Sequence, residues 1–191
     1  MSRNHFVNFL SAEEAAKLIP DDAVIASACF GNGGWPHELA YAMEDLFLET
    51  GHPANITHIH AAGCGDFGKN GHGECHWSHE GMMTRVLTSH PGSSPKLMKM
   101  ITDNKIAAWN QPLGTMIQVF REMGRNMPGL LSKTGLGTFM DPRSDKGAIN
   151  DLARSQNVEW AQYIPDFCGE DYIFYKAYPL THAFIRGTYA D

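Results

Sequence analysis

The sequence contains few charged residues and no basic run, and this limits the partners that it can bind. Only 19% of its residues are charged, and 21 acidic against 15 basic side chains give a formal net charge of -6. An acidic surface repels the phosphates of nucleic acids. We therefore expect no nucleic-acid partner.

Long apolar segments are also missing. The apolar stretch 23–30 is interrupted by Ser27 and is too short to cross a bilayer. Residues 1–10 include Arg3 but contain no apolar run of the kind found in signal peptides. These absences favour a cytoplasmic protein that has no membrane partner.

The cysteines are scattered along the chain, and no two of them have C-x-x-C spacing. Such pairs are typical of zinc ribbons, and disulfide frameworks are typical of small secreted proteins. We therefore expect Cys29, Cys64, Cys75 and Cys168 to be reduced thiols.

Apolar segments that alternate with glycine-containing loops indicate an α/β fold. Ser11 and Glu14 have the spacing of a capping box and predict a helix that ends near Ile19. Helical spacing of apolar residues predicts further helices between Pro36 and Gly51 and between Gly114 and Gly124. Buried strands are predicted at 23–28, 56–60 and 106–109.

Residues 129–151 are rich in Gly, Ser, Asp and Lys, and predict strand fragments and loops. Residues 172–175 and 183–185 predict two further strands. With 43% hydrophobic residues, the chain has enough apolar surface for a core. We expect one α/β domain over residues 1–191, with an open, largely parallel sheet flanked by helices.

Two clusters of residues have the chemical character of a site. The loop 31–34 follows a predicted strand and precedes a helix, where backbone N–H groups can bind an anion or a carbonyl oxygen, although spacing alone favours a plain turn. Residues 72–79 place three histidines and a thiol close together, and His58 and His60 could add ligands. Ordinary hydrogen-bonded histidines are the alternative there.

The most specific pattern spans residues 129–143, which read GLLSKTGLGTFMDPR. This segment is similar to GLLTKxGLGTFxDPR in family I coenzyme A transferases of the acetate, propionate and acetoacetate type. Other segments resemble the same family in the same order: 30–36 resembles GGFGxxGxPE, 60–66 HAAGxGD, 75–81 NHFAHEG, 174–177 FYKA and 186–188 RGT. The resemblance covers residues 11–191.

The resemblance implies a fold shared with ribose-5-phosphate isomerase, which a complete transferase uses twice. This chain would be the amino-terminal, or alpha, half of such a transferase. In the family a glutamate attacks an acyl-CoA thioester, and a glutamyl-CoA thioester then passes CoA to a small carboxylic acid. That glutamate lies in the second half, so no catalytic residue is assigned here. Coenzyme A is implied as a substrate, with no permanently bound cofactor.

The resemblance also implies partners and a substrate site. An isolated half exposes the surface meant for the second half or beta subunit, so we expect an oligomer. Acyl-CoA and small carboxylates are the implied substrates, and they would meet three loops at 31–34, 60–63 and 110–114. The residues predicted to bind them are Gly31, Gly33, Gly34, His60, Ala61, Gly63, Gln111, Leu113 and Gly114.

Several positions depart from the family pattern. Ala28 and Cys29 replace two glycines, which adds side chains where backbone approach is usually open. Leu113 stands where the family has an oxyanion glutamine, and its side chain donates no hydrogen bond. Gln111 lies two positions earlier and would replace that glutamine only if the loop took another path. His37 replaces a glutamate.

Two alternatives remain open. A non-catalytic binding or regulatory relative of the same fold is favoured by Leu113. A metal-dependent hydrolase built on residues 72–79 ranks last, because His76 and His79 match family histidines that bind no metal.

Overall fold

A computed structural model of the chain describes residues 8–189. The predictions about a signal peptide and the chain start fall mainly on residues 1–7, which lie outside the described part, as do residues 190–191. The strands are β1 (Val24–Ser27), β2 (Ile56–His60), β3 (Met83–Thr88), β4 (Ala107–Asn110), β5 (Gly129–Ser132), β6 (Ala161–Phe167), β7 (Glu170–Lys176) and β8 (His182–Phe184). The helices are α1 (Ala12–Ala16), α2 (His37–Thr50), α3 (Pro95–Thr102), α4 (Leu113–Gly124) and α5 (Asp151–Ser155).

The main sheet contains five parallel strands in the order β4-β3-β2-β1-β8. Its interior strands are almost entirely buried, as expected for a parallel sheet covered on both faces. The predicted open, largely parallel sheet flanked by helices is confirmed.

The two faces of the main sheet pack against different apolar clusters. Ile25 and Ile56 pack with Met43 of α2 on one face. Ile59 and Trp109 pack on the other face, in a cluster that also contains residues of α4 and β7. The sheet therefore stands between two helical layers.

A second, antiparallel sheet has the order β5-β7-β6. Ile173 and Tyr175 of β7 are buried in the same cluster as Trp109 of the main sheet. This shared core ties the small sheet to the large one.

Local signals in the sequence fix several element ends. The Ser11 N–H donates to Glu14 Oε2 at 2.8 Å, and the Glu14 N–H donates to Ser11 Oγ at 3.2 Å, so the capping box is formed. The helix that it begins ends at Ala16 rather than near Ile19. Gly51 ends α2 with a φ of 78°, the left-handed conformation common after helices. Among the described helices, none has the length and apolar character needed to span a membrane.

Candidate functional site

The predicted substrate loops meet at the carboxyl edge of the main sheet. Parallel strands bring the loops after β1, β2 and β4 to the same side, which is where open α/β sheets bind ligands. The Gly31 N–H donates to the Gly63 carbonyl at 2.8 Å and so joins the first two loops. The Gln111 N–H donates to the carbonyl of Thr88 at 3.2 Å and anchors the third loop to the end of β3.

An apolar cavity of about 550 Å³ opens at this edge. Its walls come from the ends of β1 and β2, from β8 and from one face of α4. The lining residues are Ala26, Ser27, Ala28, Cys29, Phe30, Ala61, Ala62, Leu113, Ile117, Phe120, Leu180, Ala183, Phe184 and Ile185. Two predicted site residues, Ala61 and Leu113, thus face one cavity.

The glycines of the first loop form a closed turn. Phe30 and Gly33 exchange two backbone hydrogen bonds, of 2.9 and 3.0 Å. Gly34 has a φ of +81°, and a Cβ there would lie 2.9 Å from the Ala28 carbonyl oxygen, so the position requires glycine. The N–H groups of Gly31 and Gly33 are therefore used inside the protein, as in a plain turn.

The third loop holds its amide side chains away from the cavity. Gln111 is buried, and its Oε1 accepts a hydrogen bond of 2.8 Å from the Tyr178 hydroxyl. Leu113 begins α4 at the cavity wall, and a Cβ added at Gly114, the next residue, would meet no atom within 4 Å outside the backbone of its own helix. The re-routed loop that would let Gln111 replace the family glutamine is not what the structure shows.

His60 lies behind the site in a fully buried network. His60 Nε2 and His58 Nδ1 both contact Glu74 Oε1, at 2.8 and 2.7 Å. The Ser27 hydroxyl lies 2.7 Å from His58 Nε2, and His60 Nδ1 contacts the Ala62 carbonyl. The order serine, histidine, carboxylate is that of a hydrolytic triad, but these side chains are buried away from solvent. Ser27 lines the cavity with its hydroxyl next to His58, whereas His58, His60 and Glu74 are fully buried behind it and support the loop 61–65.

The charges of this network are set by burial and by mutual contact. Burial raises the pKa of Glu74, but the charge of His60 and hydrogen bonds from both histidines outweigh it and lower that pKa. Burial lowers the pKa of His60, and the Glu74 carboxylate more than reverses this, so the His60 pKa is raised. Burial and the nearby His60 lower the pKa of His58. These directions favour an ionised Glu74, a protonated His60 and a neutral His58.

Glu74 is a residue that the sequence analysis did not single out. The alternation of His58 and His60 along a strand was the available signal, because two imidazoles on one buried face require an anionic or polar partner. The sequence did not show which residue this partner is, because Glu74 reaches the two histidines only through the way the segment 61–73 folds back against β2.

Residues 72–79 do not form a common donor set. The Tyr41 hydroxyl lies 2.7 Å from His72 Nδ1, whereas the two oxygens of Glu44 contact His76 and His79 separately. Cys75 Sγ points elsewhere, to Ser94 Oγ at 3.2 Å. Within residues 8–189 the compact donor groups are Cys29, His60 and Cys64, and His58, His60 and Glu74. The geometry gives no support to a hydrolase built on residues 72–79.

Cys29 and Cys64 are joined in a disulfide, so the expectation of four reduced thiols was wrong. Their Cα atoms lie 5.9 Å apart, a distance typical of disulfides. The two cysteines are separated by 35 residues in sequence, but they follow the adjacent strands β1 and β2. The bond therefore links the first two loops of the site.

Comparisons with known proteins point to one family. The model of the Coenzyme A transferase family matches residues 9–191. Caffeate CoA-transferase of Acetobacterium woodii is 40% identical over 183 residues, which cover 96% of this chain and 34% of the relative. Acetate CoA-transferase YdiF of Escherichia coli is 34% identical over 191 residues, which cover 98% of this chain and 34% of the relative.

A solved structure shows the same fold. The crystal structure of an acyl-CoA transferase (YdiF) of Escherichia coli, in a thioester complex with CoA, matches with a TM-score of 0.85 and 33% identity. The match covers 94% of this chain and 36% of that one. The chain thus spans about a third of the length of the curated relatives that it matches. It belongs to the coenzyme A transferase family.

Proposed function

We propose that this chain is the amino-terminal part of an enzyme that moves coenzyme A between an acyl-CoA and a small carboxylic acid. The observation that carries the proposal is the convergence of the loops after β1, β2 and β4 on one apolar cavity, in a chain of this family. Because the chain spans about a third of its relatives, the reaction requires residues outside it.

The proposed reaction uses a glutamate that lies outside this chain. Its carboxylate attacks the thioester carbonyl, the C–S bond breaks, and an acyl-glutamyl anhydride and CoA thiolate form. The thiolate then attacks the glutamyl carbonyl, which releases the acyl carboxylate and leaves a glutamyl-CoA thioester. An acceptor carboxylate reverses these steps, so coenzyme A is consumed and returned as a substrate, and no permanent cofactor is needed.

The described residues would contribute the wall of the acyl site. Each tetrahedral intermediate needs hydrogen-bond donors aimed at its oxyanion, and one such donor contributes about 3–4 kcal/mol in comparable sites. Leu113 lacks a donor, and Gln111 is bonded to Tyr178. Because Gln111 does not line the cavity either, we propose that the side-chain donor comes from beyond this chain.

Exposed apolar side chains at the same edge support a partner in the proposed assembly. Phe30 is 81% exposed and Ile185 is 78% exposed, and both line the mouth of the cavity. Contiguous apolar surface of this kind usually marks an interface. We propose that the second half or a beta subunit covers it, in an oligomer located in the cytoplasm.

A non-catalytic relative is the second candidate, and Leu113 is the observation that favours it. The experiment is a CoA-transfer assay on this chain completed with its second half, using acetyl-CoA and a panel of carboxylic acids. We expect transfer by the completed protein and none by the 191-residue chain alone.

Leu113→Gln provides the matched variant for this assay, because it restores the amide of the family pattern. If the completed protein is inactive and the Leu113→Gln variant transfers coenzyme A, the natural protein is the non-catalytic relative. Transfer by the unchanged protein would exclude it.

A further inference from the structure

Four donor atoms lie close together where the first two loops meet. The sulfurs of Cys29 and Cys64 and a ring nitrogen of His60 lie within 4.8 Å of one another. The Ala62 carbonyl oxygen is 3.5 Å from Cys64 Sγ and 4.0 Å from Cys29 Sγ, and it accepts a hydrogen bond from His60 Nδ1. His60 and Cys64 are fully buried, and Cys29 is half-buried. Thiolate and imidazole ligands select zinc rather than magnesium or calcium.

The spacing of these atoms matches a tetrahedral metal site. Zinc binds thiolate sulfur at about 2.3 Å and imidazole nitrogen at about 2.0–2.1 Å, so a sulfur and a nitrogen ligand lie about 3.5 Å apart. Cys64 Sγ and His60 Nδ1 are 3.5 Å apart. Two thiolate ligands lie about 3.8 Å apart by the same geometry. Because the Cα atoms of Cys29 and Cys64 are 5.9 Å apart, their side chains reach this spacing by rotation once the bond between them is reduced.

The position of Glu74 is an independent observation that points to a metal. A histidine that binds zinc usually donates the N–H of its other ring nitrogen to a carboxylate, which fixes its tautomer and orientation. His60 Nε2 lies 2.8 Å from Glu74 Oε1. The contact with Glu74 therefore directs Nδ1 of His60 toward the sulfurs.

The two loops are held in place without the disulfide. The Gly31 N–H donates to the Gly63 carbonyl at 2.8 Å, which joins the loops. A Cβ at Gly63 would lie 2.4 Å from Ser93 Oγ, and one at Gly65 would lie 2.3 Å from the Ser93 carbonyl oxygen, so the second loop packs directly on the segment 91–94. Both sulfurs thus stay near the imidazole after reduction, and a preformed ligand set avoids the free-energy cost of ordering its side chains.

We propose that the reduced protein binds one Zn²⁺ ion through Cys29, Cys64 and His60 Nδ1, with the Ala62 carbonyl oxygen or a water as fourth ligand. Binding releases both thiol protons and the Nδ1 proton, whose place the ion takes. Zinc and the disulfide are alternative links between the same two loops. In reducing surroundings, where disulfides are rare, zinc is the link.

Oxidation exchanges one link for the other. An organic disulfide accepts two electrons from the two zinc-bound thiolates, its own S–S bond breaks to give two thiolates, the protein S–S bond forms and Zn²⁺ leaves. This metal site goes beyond the proposed CoA transfer and does not depend on it.

The test measures metal binding by the completed protein and requires no transfer. The protein is reduced with a phosphine, freed of the phosphine without air, and titrated with Zn²⁺ in competition with a chromophoric chelator. Co²⁺ is the spectroscopic probe, because its thiolate charge-transfer band reports sulfur ligands. Cys29→Ser removes one ligand, and Cys75→Ser is the matched control, because Cys75 is a buried thiol outside the donor set. All variants are measured reduced, so loss of the disulfide does not enter the comparison.

Even a carboxylate that only orients a ligand contributes about 10–100-fold to metal affinity, so we expect Cys29→Ser to weaken zinc binding at least about 100-fold. Cys75→Ser should keep the wild-type affinity within about twofold, which corresponds to less than about 0.5 kcal/mol. The cobalt band should weaken in Cys29→Ser and stay unchanged in Cys75→Ser. Equal zinc affinity of wild type and Cys29→Ser, or an unchanged cobalt band, would overturn the proposal.

A second measurement needs no variant. The wild type is oxidised with an organic disulfide, and its zinc content and free thiols are counted before and after. We expect one zinc ion to leave as Cys29 and Cys64 lose their two thiols. Oxidised protein that binds as much zinc as reduced protein would contradict the site. Transfer activity enters neither measurement, so failure of the CoA-transfer proposal and failure of the zinc site remain distinguishable.

Discussion

At the residue scale, Glu74 places a carboxylate in the fully buried part of the fold. It is buried with His58 and His60, and one protonated imidazole balances its charge. Removing one partner of such a pair leaves an uncompensated charge in the interior. The carboxylate therefore stabilises the loop that follows β2.

The first prediction concerns Glu74→Gln. We expect a loss of about 3–5 kcal/mol in the free energy of unfolding, measured by urea denaturation, because His60 loses its counter-charge. Glu170→Gln is the control, because Glu170 pairs with Lys133 at the surface and its removal should change stability little. Similar losses in both variants would contradict this account of the buried network.

The pH dependence of the same variant gives a second readout. The raised pKa of His60 means that its contribution is complete below the ordinary value of 6.5 and is lost as the pH rises through the folded-state value. The lowered pKa of Glu74 means that its contribution is present above 4.5 and is lost on acidification. Acidification from about pH 8 to 6.5 should therefore favour folding through His60 in the wild type, and this gain should be absent in Glu74→Gln.

The cysteines give the next residue-scale prediction. Unfolding without a reductant should expose two reactive thiols, Cys75 and Cys168, and four should appear after reduction. The bond closes a loop of 35 residues, for which chain entropy predicts about 3–4 kcal/mol of stabilisation. Cys29→Ser is the control and should show three thiols with or without a reductant, whereas four thiols in unreduced wild type would rule out the bond.

At the element scale, the segment between β2 and the turn at Glu74 is held by close backbone packing. Gly65 and Gly73 form an antiparallel bridge, and the Glu74 N–H donates to the Cys64 carbonyl at 2.9 Å. A Cβ at Gly73, where φ is +79°, would lie 2.3 Å from the Cys64 carbonyl oxygen. This close backbone contact keeps Glu74 and the Cys29–Cys64 disulfide in fixed positions relative to each other.

A matched pair of glycine variants tests this packing. Gly71 has a similar φ of +73° but no atom within 4 Å of a Cβ, so Gly71→Ala meets only backbone strain of about 1–2 kcal/mol. Gly73→Ala meets backbone strain as well, at a φ of 79° and a ψ of -139° that few residues other than glycine adopt, and it must also displace Cys64. We therefore expect it to lose about 1–3 kcal/mol more than Gly71→Ala in thermal or urea unfolding. Equal effects of the two substitutions would show that the segment is not packed as described.

The elements that the sequence predicted best are those with unambiguous ends. The strand predicted at 56–60 has those bounds as β2, and Pro36 and Gly51 flank α2 directly. Turn residues and the spacing of apolar residues mark the ends of these elements within a few residues, so their prediction does not depend on tertiary contacts.

The elements that the sequence missed depend on tertiary context. β6 contains Pro165, which argues against a strand, but β6 is an edge strand whose ladder shifts between Ile164 and Phe167, so the proline removes no required hydrogen bond. β3 contains Arg85, whose side chain leaves the sheet and donates to Gln156 at 2.8 Å. Pairing of Cys29 with Cys64 likewise followed only from the adjacency of β1 and β2.

At the scale of the whole molecule, the features of the candidate site lie together. The three loops, the cavity and the exposed apolar residues Phe30 and Ile185 share one edge of the main sheet. The family resemblance predicted this edge, but the local sequence did not predict that His60 and Gln111 would be bound inside the protein rather than directed at the cavity.

The direct test of the proposed reaction is the mass of the protein after incubation with an acyl-CoA. We expect the 191-residue chain alone to gain no covalent CoA, and the completed protein to gain one CoA on a glutamate outside residues 1–191. A CoA adduct on a residue of this chain, or CoA transfer by a completed protein that never carries an adduct, would contradict the proposed reaction.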